Sequence, residues 1–303
     1  MKSATVKAYG KINISLNVLG AENGYHNLDS IVVTVDKYDK VTVTKRKDDK
    51  ILLNLYGEYG NKPFIQEKYN AYKAAKMFKE KFNTTGVTVD IERNIPEGSG
   101  MGGSSADIAG VLKAMQKLFK ITDDVKDIAD ALGSDSGYLL SGGFARLTSR
   151  GEVVEKLNIN WKPYFIVIYS KSGVNTAECF KEFDLGSYNG LVCNNDEIIN
   201  CLRQKDVSLL KGKTANALTK PAIKLNEEVN SNLSALLDLS PDVCDMTGSG
   251  STVFSMYDSY EMVTWAYSKL KNKYGKRVEM LDVYNPDYKS PLKGFFERFL
   301  NLD

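Results

Sequence analysis

The chain has 303 residues, 43% of them hydrophobic, and 40 Lys plus Arg against 38 Asp plus Glu give a formal net charge of +2. That length supports a large core and more readily two domains than one. The even charge balance excludes a basic surface built for nucleic acid or for an anionic membrane.

Four cysteines (Cys179, Cys193, Cys201, Cys244) all fall in the second half with no C-x-x-C spacing. They read as reduced thiols of a cytoplasmic protein, not as a zinc site or a disulfide frame. Lys2, Lys7 and Lys11 interrupt every short apolar run at the N-terminus, so no signal peptide is expected. No stretch is long and apolar enough to span a bilayer, and no internal repeat is evident.

Residues 4–19 alternate as a strand, with Ile12, Ile14, Leu16 and Val18 on one face and Lys11, Asn13, Ser15 and Asn17 on the other. Taken alone, the polar face describes a solvated sheet surface. Gly20–Gly24 reads as a loop, followed by Tyr25 and the single histidine, His26. Two strands are expected at 30–36 and 40–46, joined by a turn at Lys37–Asp39, and another at 51–56. Residues 69–82 carry Ala71, Ala75, Phe78 and Phe82 at helical spacing, with Asn70 as the expected cap. Val87, Val89 and Ile91 alternate with Thr88, Asp90 and Glu92 as a half-buried strand, and a helix is expected over 105–119. Thr122 is placed to cap a further helix through Leu132, with Asp123 and Asp124 in its first turn.

Gly133-Ser-Asp-Ser-Gly137 reads as a tight polar turn centred on Asp135. A second unit is expected from residue 156, dividing the chain into 1–155 and 156–303. Its elements are a strand at 164–170, a loop and short helix at 174–183, helices over about 205–218 and 221–237, and a strand at 253–256. A helix at 259–274 ending on Gly275 and a strand at 277–284 complete it. The order β-α-α-β-α-β points to a ferredoxin-like α+β unit. The tail 285–303, with Phe295, Phe296, Phe299 and Leu300, reads as a helix packed on the body.

The stretch that connects the 87–92 strand to the following helix is Pro96-Glu-Gly-Ser-Gly-Met-Gly-Gly-Ser-Ser-Ala106. Four glycines and three serines within 98–106 suit a backbone that approaches a ligand closely and a helix start that attracts phosphate. The competing reading is a flexible turn capped by Ser104, with Asp107 completing a variant capping box. Among phosphate binders the P-loop fails, because no lysine follows the glycines. A dinucleotide fingerprint is literally present as Gly98-Ser-Gly-Met-Gly-Gly103. The acids at the right distance, Asp123 and Asp124, start a helix instead of ending a strand.

Pro96-x-x-x-Gly-Met-Gly-Gly-Ser-Ser-Ala resembles the phosphate-binding motif of the GHMP kinases, the family of galactokinase and of the homoserine, mevalonate and phosphomevalonate kinases. Met246-Thr-Gly-Ser-Gly-Ser resembles that family's C-terminal glycine motif. Lys11-Ile-Asn-Ile-Ser-Leu-Asn-Val-Leu-Gly, Gly24-Tyr-His-x-Leu-Asp-Ser30, Leu132-Gly-Ser-Asp135 and Val174-Asn-Thr-Ala-x-x-Phe180 are similar to the branch that phosphorylates a cytidine-bearing intermediate of isoprenoid synthesis. The resemblance runs in register from about residue 7 to 284.

It implies a two-domain α+β GHMP kinase fold, with an N-terminal ATP-binding domain and a C-terminal ferredoxin-like domain. The implied reaction uses ATP and Mg²⁺ to phosphorylate the 2-hydroxyl of a cytidine diphosphate derivative of methylerythritol, a small-molecule substrate. Pro96, Glu97, Gly98, Ser99, Gly100, Met101, Gly102, Gly103, Ser104, Ser105 and Ala106 would wrap the ATP phosphates, and Ser105 would reach the metal. Asn70 and Arg93 would lie on the adenosine side. Asp135 would orient or deprotonate the hydroxyl, and Lys11 would keep Asp135 ionised and steady the moving phosphoryl group. Asn13, Gly248 and Ser249 would contact substrate. Tyr25 and Phe180 would sandwich the cytosine, His26 would meet its edge, and Thr176 the ribose or base region. A homodimer is compatible with the resemblance.

The chain departs from the family pattern at Ser104, which replaces a glycine, and at Ala106, which replaces a serine. Ser136-Gly137 stands for valine-proline, Asn216-Ala217 for asparagine-acid, and the loop before Gly24 is about a residue short. A GHMP kinase for another small alcohol is the first alternative, which Tyr25, His26 and Phe180 weigh against. A non-catalytic nucleotide-binding paralogue is the second, which Lys11 and Asp135 together weigh against.

Overall fold

The computed structural model describes residues 2–288 apart from 23 and 62. Two antiparallel strands, β1 (Ser3–Glu22) and β2 (Tyr25–Lys45), form a long hairpin at the centre of the first sheet. The far edge of β2 takes two partners in succession. β5 (Phe144–Ser149) pairs with Leu28–Val33, and β4 (Val87–Glu92) pairs with Lys40–Lys45. β3 (Ile51–Tyr56) runs parallel to β4, and β6 (Val153–Leu157) antiparallel to β5. β6 therefore crosses the 155/156 division expected from the sequence.

The two strands expected at 30–36 and 40–46 are one. Tyr9 pairs with Tyr38 and Lys11 with Thr34, so three residues of β2 face Gly10. The strand bulges there instead of turning. The bulge receives the end of the other sheet, with Tyr284 N–H donating to Thr34 O (2.9 Å). The 20–24 loop is also shorter than expected, because β1 continues to Glu22, which pairs with Tyr25.

Four helices cover this sheet: α1 (Asn70–Phe82), α2 (Gly103–Phe119), α3 (Lys126–Leu132) and α4 (Ser136–Ser141). α2 is buried on nearly all sides and packs on β1 and β2. Neither of the two expected side-chain caps forms, and nor does the competing one at Ser104. Tyr69, Gly102 and Val125 occupy the cap positions of α1, α2 and α3. Asn70 is already helical and Asp107 is buried. At α3, Asp124 Oδ1 accepts from Lys126 N–H (2.8 Å), so this helix starts later than the Thr122 signal suggested.

The second sheet has the order β10-β7-β9-β8, all antiparallel, from β7 (Tyr164–Ile168), β8 (Val243–Met246), β9 (Val253–Tyr257) and β10 (Val278–Asp282). That is the ferredoxin-like βαββαβ arrangement, with β8 as the strand the sequence pattern omitted. Its helices are α5 (Thr176–Leu185), α6 (Asn195–Gln204), α7 (Thr219–Leu225), α8 (Glu228–Leu237) and α9 (Tyr260–Tyr274). The helix expected over 205–218 is a 3₁₀ turn at Val207–Leu210, and α6 lies before it. Asn194 caps α6 by accepting from Asp196 and Glu197 N–H. The span 221–237 is broken at Asn226, whose side chain accepts from Glu228 N–H (3.1 Å) and starts α8. The helix expected in the tail lies, from residue 289 onward, outside the described residues.

The polar face of β1 is not solvated. Lys11, Asn13, Ser15 and Asn17 are all buried. Ser15 Oγ donates to Asn195 Oδ1 (2.5 Å), and Asn17 Oδ1 accepts from Val192 and Cys193 N–H (2.9 and 3.1 Å). The free edge of β1 is closed by backbone bonds from Leu16 to Ala215, from Ala217 to Leu16 and from Val18 to Gly190. A buried polar group is costly unless it is hydrogen-bonded, and the second half of the chain supplies those bonds. All four cysteines are free, and burial pushes the Cys179 and Cys244 thiols up to about 12.

α2 reaches the sheet through Gly110, where a Cβ would lie 2.8 Å from Ala8 Cβ and from Val41 Cγ2. Gly110→Leu gains about 1 kcal/mol of helix propensity. Overpacking the helix–sheet contact costs more, about 3 kcal/mol. The variant should be less stable in urea unfolding; an equal or higher midpoint would contradict this packing.

Candidate active site

The glycine loop follows β4 and ends at the start of α2. Gly100 has φ 74°, and a Cβ there would lie 2.0 Å from Thr247 O. Only glycine fits both constraints. Gly102 (φ 75°) caps α2 in the left-handed region, which leaves the first N–H groups of the helix open toward the cavity. The second glycine stretch packs directly on this loop, with Ser251 N–H donating to Gly98 O (3.0 Å) and Thr252 N–H to Ser99 O (3.2 Å).

The two stretches border one cavity of about 860 Å³. Pro96 to Gly100 and Gly102 to Ser105 line it. Met101 and Ala106 were expected among the phosphate contacts, but both are fully buried in the core. Met101 contributes through its backbone, its carbonyl accepting from Lys11 N–H (2.9 Å).

Lys11 and Asp135 meet on the cavity wall beside Gly102. Lys11 is 4% exposed, and its Nζ is 3.6 Å from Asp135 Oδ2. Lys11 Nζ also donates to Asn13 Oδ1. Burial lowers the Lys11 pKa and the Asp135 carboxylate opposes that shift. Asp135 comes from the turn just before α4, as expected from Gly133–Gly137. Asn13 is fixed on three sides. Its Nδ2 donates to Ser30 Oγ (2.7 Å), its backbone N–H donates to Thr247 Oγ1 (2.9 Å), and its Oδ1 accepts from Lys11. Asn216, the asparagine kept where Ala217 replaces the acid, donates through Nδ2 to Met246 O and Gly248 O (2.7 and 2.8 Å) and so fixes the second glycine stretch.

At the other end, His26 stacks on Phe180, with centroids 4.6 Å apart and planes at 22°. His26 Nε2 lies 2.7 Å from Asp184 Oδ1. Tyr25 is 57% exposed, and the Arg150 guanidinium sits 4.8 Å from its ring centre. Tyr25 and Phe180, the two rings expected to flank the base, both line the cavity. His26, its neighbour on β2, is the ring that lies against Phe180. Thr176 Oγ1 lies 2.9 Å from Ser249 Oγ, and both line the cavity with Gly248.

Asn70 and Arg93 line the same cavity. Asn70 Nδ2 donates to Leu132 O (3.0 Å). Arg93 is turned inward, with its Nε 3.5 Å from Asp107 Oδ2. Among the described residues, no group of three or more His, Cys, Asp or Glu side chains could hold a metal ion. Sequence reasoning did not single out Thr247, Arg150 or Asp184. Thr247 lies inside the second glycine stretch and had that signal; Arg150 and Asp184 acquire partners only through the fold.

Residues 70–144 match the family model of the GHMP kinases N terminal domain. A 4-diphosphocytidyl-2-C-methyl-D-erythritol kinase of Clostridium botulinum (strain Eklund 17B / Type B) is 36% identical over 283 residues, covering 89% of this chain and 96% of the relative. The enzyme of the same name from Alkaliphilus metalliredigens is 29% identical, covering 94% and 98%. Among solved structures, a 4-(cytidine 5'-diphospho)-2C-methyl-D-erythritol kinase superposes with TM-score 0.75 at 25% identity, covering 92% of this chain and 98% of that one. A homoserine kinase from Cytophaga hutchinsonii shares the fold at TM-score 0.70 and 20% identity, with 94% of each chain covered. The glycine loop at the start of α2, the ferredoxin-like second sheet and the relatives agree: the chain belongs to the GHMP kinases, a family of ATP-using small-molecule kinases, on the branch of the 4-diphosphocytidyl-2-C-methyl-D-erythritol kinases.

Proposed function

We propose that the chain transfers the terminal phosphoryl group of ATP to the 2-hydroxyl of 4-diphosphocytidyl-2-C-methyl-D-erythritol, on the route to isoprenoids. The observation that carries this reading is a single cavity that runs from the glycine loop, past Lys11 and Asp135, to the rings of His26 and Phe180.

The loop backbone and the N-terminus of α2 bind the ATP phosphates, since open N–H groups and the helix dipole favour anions there. Asn70 lines the adenosine side, and Arg93 adds its charge from behind the loop. Asp135 takes the proton of the attacking hydroxyl. Lys11 holds Asp135 ionised and stabilises the charge on the transferring group, an effect strengthened because the ammonium is buried. Asn13 orients Lys11. His26, Phe180 and Tyr25 hold the cytosine, and Thr176, Gly248 and Ser249 hold the sugar and diphosphate. In this reading residues 1–155 carry the nucleotide side, and 156–303 add part of the substrate side.

Mg²⁺ commonly keeps few protein ligands and rides on substrate phosphates, which fits a cavity with no metal-holding cluster of acids among the described residues. Ser105, at the start of α2 and lining the cavity, is the residue placed to reach it. The ion supplies charge neutralisation on the phosphates when bound.

ADP release should be fastest with the cytidine substrate in a panel that includes mevalonate and homoserine; preferential transfer to an alcohol without a base would displace this reading. Asp135→Asn should lower kcat by about a thousandfold, the scale of losing a general base with its charge. ATP-analogue affinity should stay within about threefold, because Asp135 belongs to the acceptor side; a fully active variant would refute the assigned role. Lys11 acts in its charged form, and burial lowers its pKa. Activity should therefore fall with rising pH below the range of an exposed lysine, about 10.4. The residual activity of Lys11→Arg should lack that alkaline limb, since the guanidinium stays charged.

A further inference from the structure

Three buried ionisable side chains behind the glycine loop have no assigned chemistry in this mechanism beyond the charge of Arg93. Asp39 projects from β2, Arg93 follows β4, and Asp107 stands one turn into α2; they are 0%, 6% and 4% exposed. Asp39 Oδ1 accepts from the backbone N–H of Asn94 (2.5 Å) and Ile95 (2.8 Å), the residues that lead into the loop. Arg93 Nε lies 3.5 Å from Asp107 Oδ2 without forming a hydrogen bond, and Asp107 Oδ1 and Asp39 Oδ2 are likewise buried without a hydrogen-bond partner. The two carboxyl groups act on each other as well as on Arg93.

Two carboxylates and one guanidinium leave an uncompensated negative charge out of water, which is costly. One proton removes that charge and provides the missing donor between the two acids. Burial and the Asp39 charge push the Asp107 carboxyl well above the usual range, against Arg93. Burial also raises Asp39, but the N–H groups of Ile95 and Asn94 favour its ionised form. Asp39 and Arg93 are the charges that act on Asp107.

We propose that Asp107 carries a proton shared with Asp39, and that this neutral acid is a positioning residue for nucleotide binding. The shared proton ties the strand that enters the loop to α2. It also keeps a negative charge away from the positive end of the helix that the phosphates approach. The inference rests on reading that helix start as the phosphate site.

Two measurements test it. The carboxyl carbon resonances of the ligand-free protein, assigned with Asp39→Asn and Asp107→Asn, should show Asp107 protonated near neutral pH; two ionised carboxylates overturn the proposal. Binding of a non-hydrolysable ATP analogue is the second. Asp107→Asn is neutral and keeps a donor, so it should bind within about threefold of the wild type, whereas Asp107→Ala should bind about tenfold more weakly. Wild-type affinity should decline at alkaline pH, and the Asn variant, which retains Lys11, should lose that decline. An Asn variant as weak as the Ala variant, or one that keeps the alkaline decline, overturns the proposal. If Asp107→Ala fails to fold, the resonances and the Asn comparison still decide. If the wild type does not bind the analogue, the phosphate-site reading falls, and the resonances still decide where the proton sits.

Discussion

Burying the ammonium of Lys11 is the constraint on which the rest depends. A lysine 4% exposed has lost its water and must be compensated by fixed partners. No single segment provides them. The cation comes from β1, the carboxylate of Asp135 from the turn before α4, and the hydroxyl that holds Asn13 from Thr247 in the second glycine stretch. The reactive centre exists only when both sheets are assembled. The low local dielectric that makes the burial expensive also strengthens the attraction between the charges.

The same arrangement explains why the loop can be rich in glycine without being loose. Backbone bonds from Ser251, Thr252 and Val174 hold it on one side, and Asp39 holds its entry on the other. Met101 anchors it in the core. Glycine here serves close approach to the neighbouring loop, as the Gly100–Thr247 contact requires.

Much of this was legible in the sequence. The strand–loop–helix around the glycines follows from periodicity, and three of the four strands of the second sheet were in place. The polar face of β1 was not, because alternation tells which residues share a face and not what covers it. Lys11, Asn13, Ser15 and Asn17 look like a solvent surface until Asn195, Cys193 and Thr247 arrive from more than 170 residues away. The helix caps failed for a related reason. Ser104, Asn70 and Thr122 are good local caps, yet a glycine in the left-handed region, Tyr69 and Val125 took their places. His26 against Phe180 is a tertiary outcome, invisible until the partner helix is known.

The uninterrupted course of β2 through its bulge carries a further meaning. His26 sits near one end of the β1–β2 hairpin, and Lys11 is paired with Thr34 farther along it. The separation between the His26–Phe180 rings and the Lys11–Asp135 pair is thus set by strand register, a covalent and hydrogen-bonded spacing that no loop closure can shorten. Such a hairpin acts as a gauge of molecular length. Under the proposed assignment, a nucleotide lacking the alcohol would fall short of Asp135, and an alcohol lacking the nucleotide would reach it without an anchor.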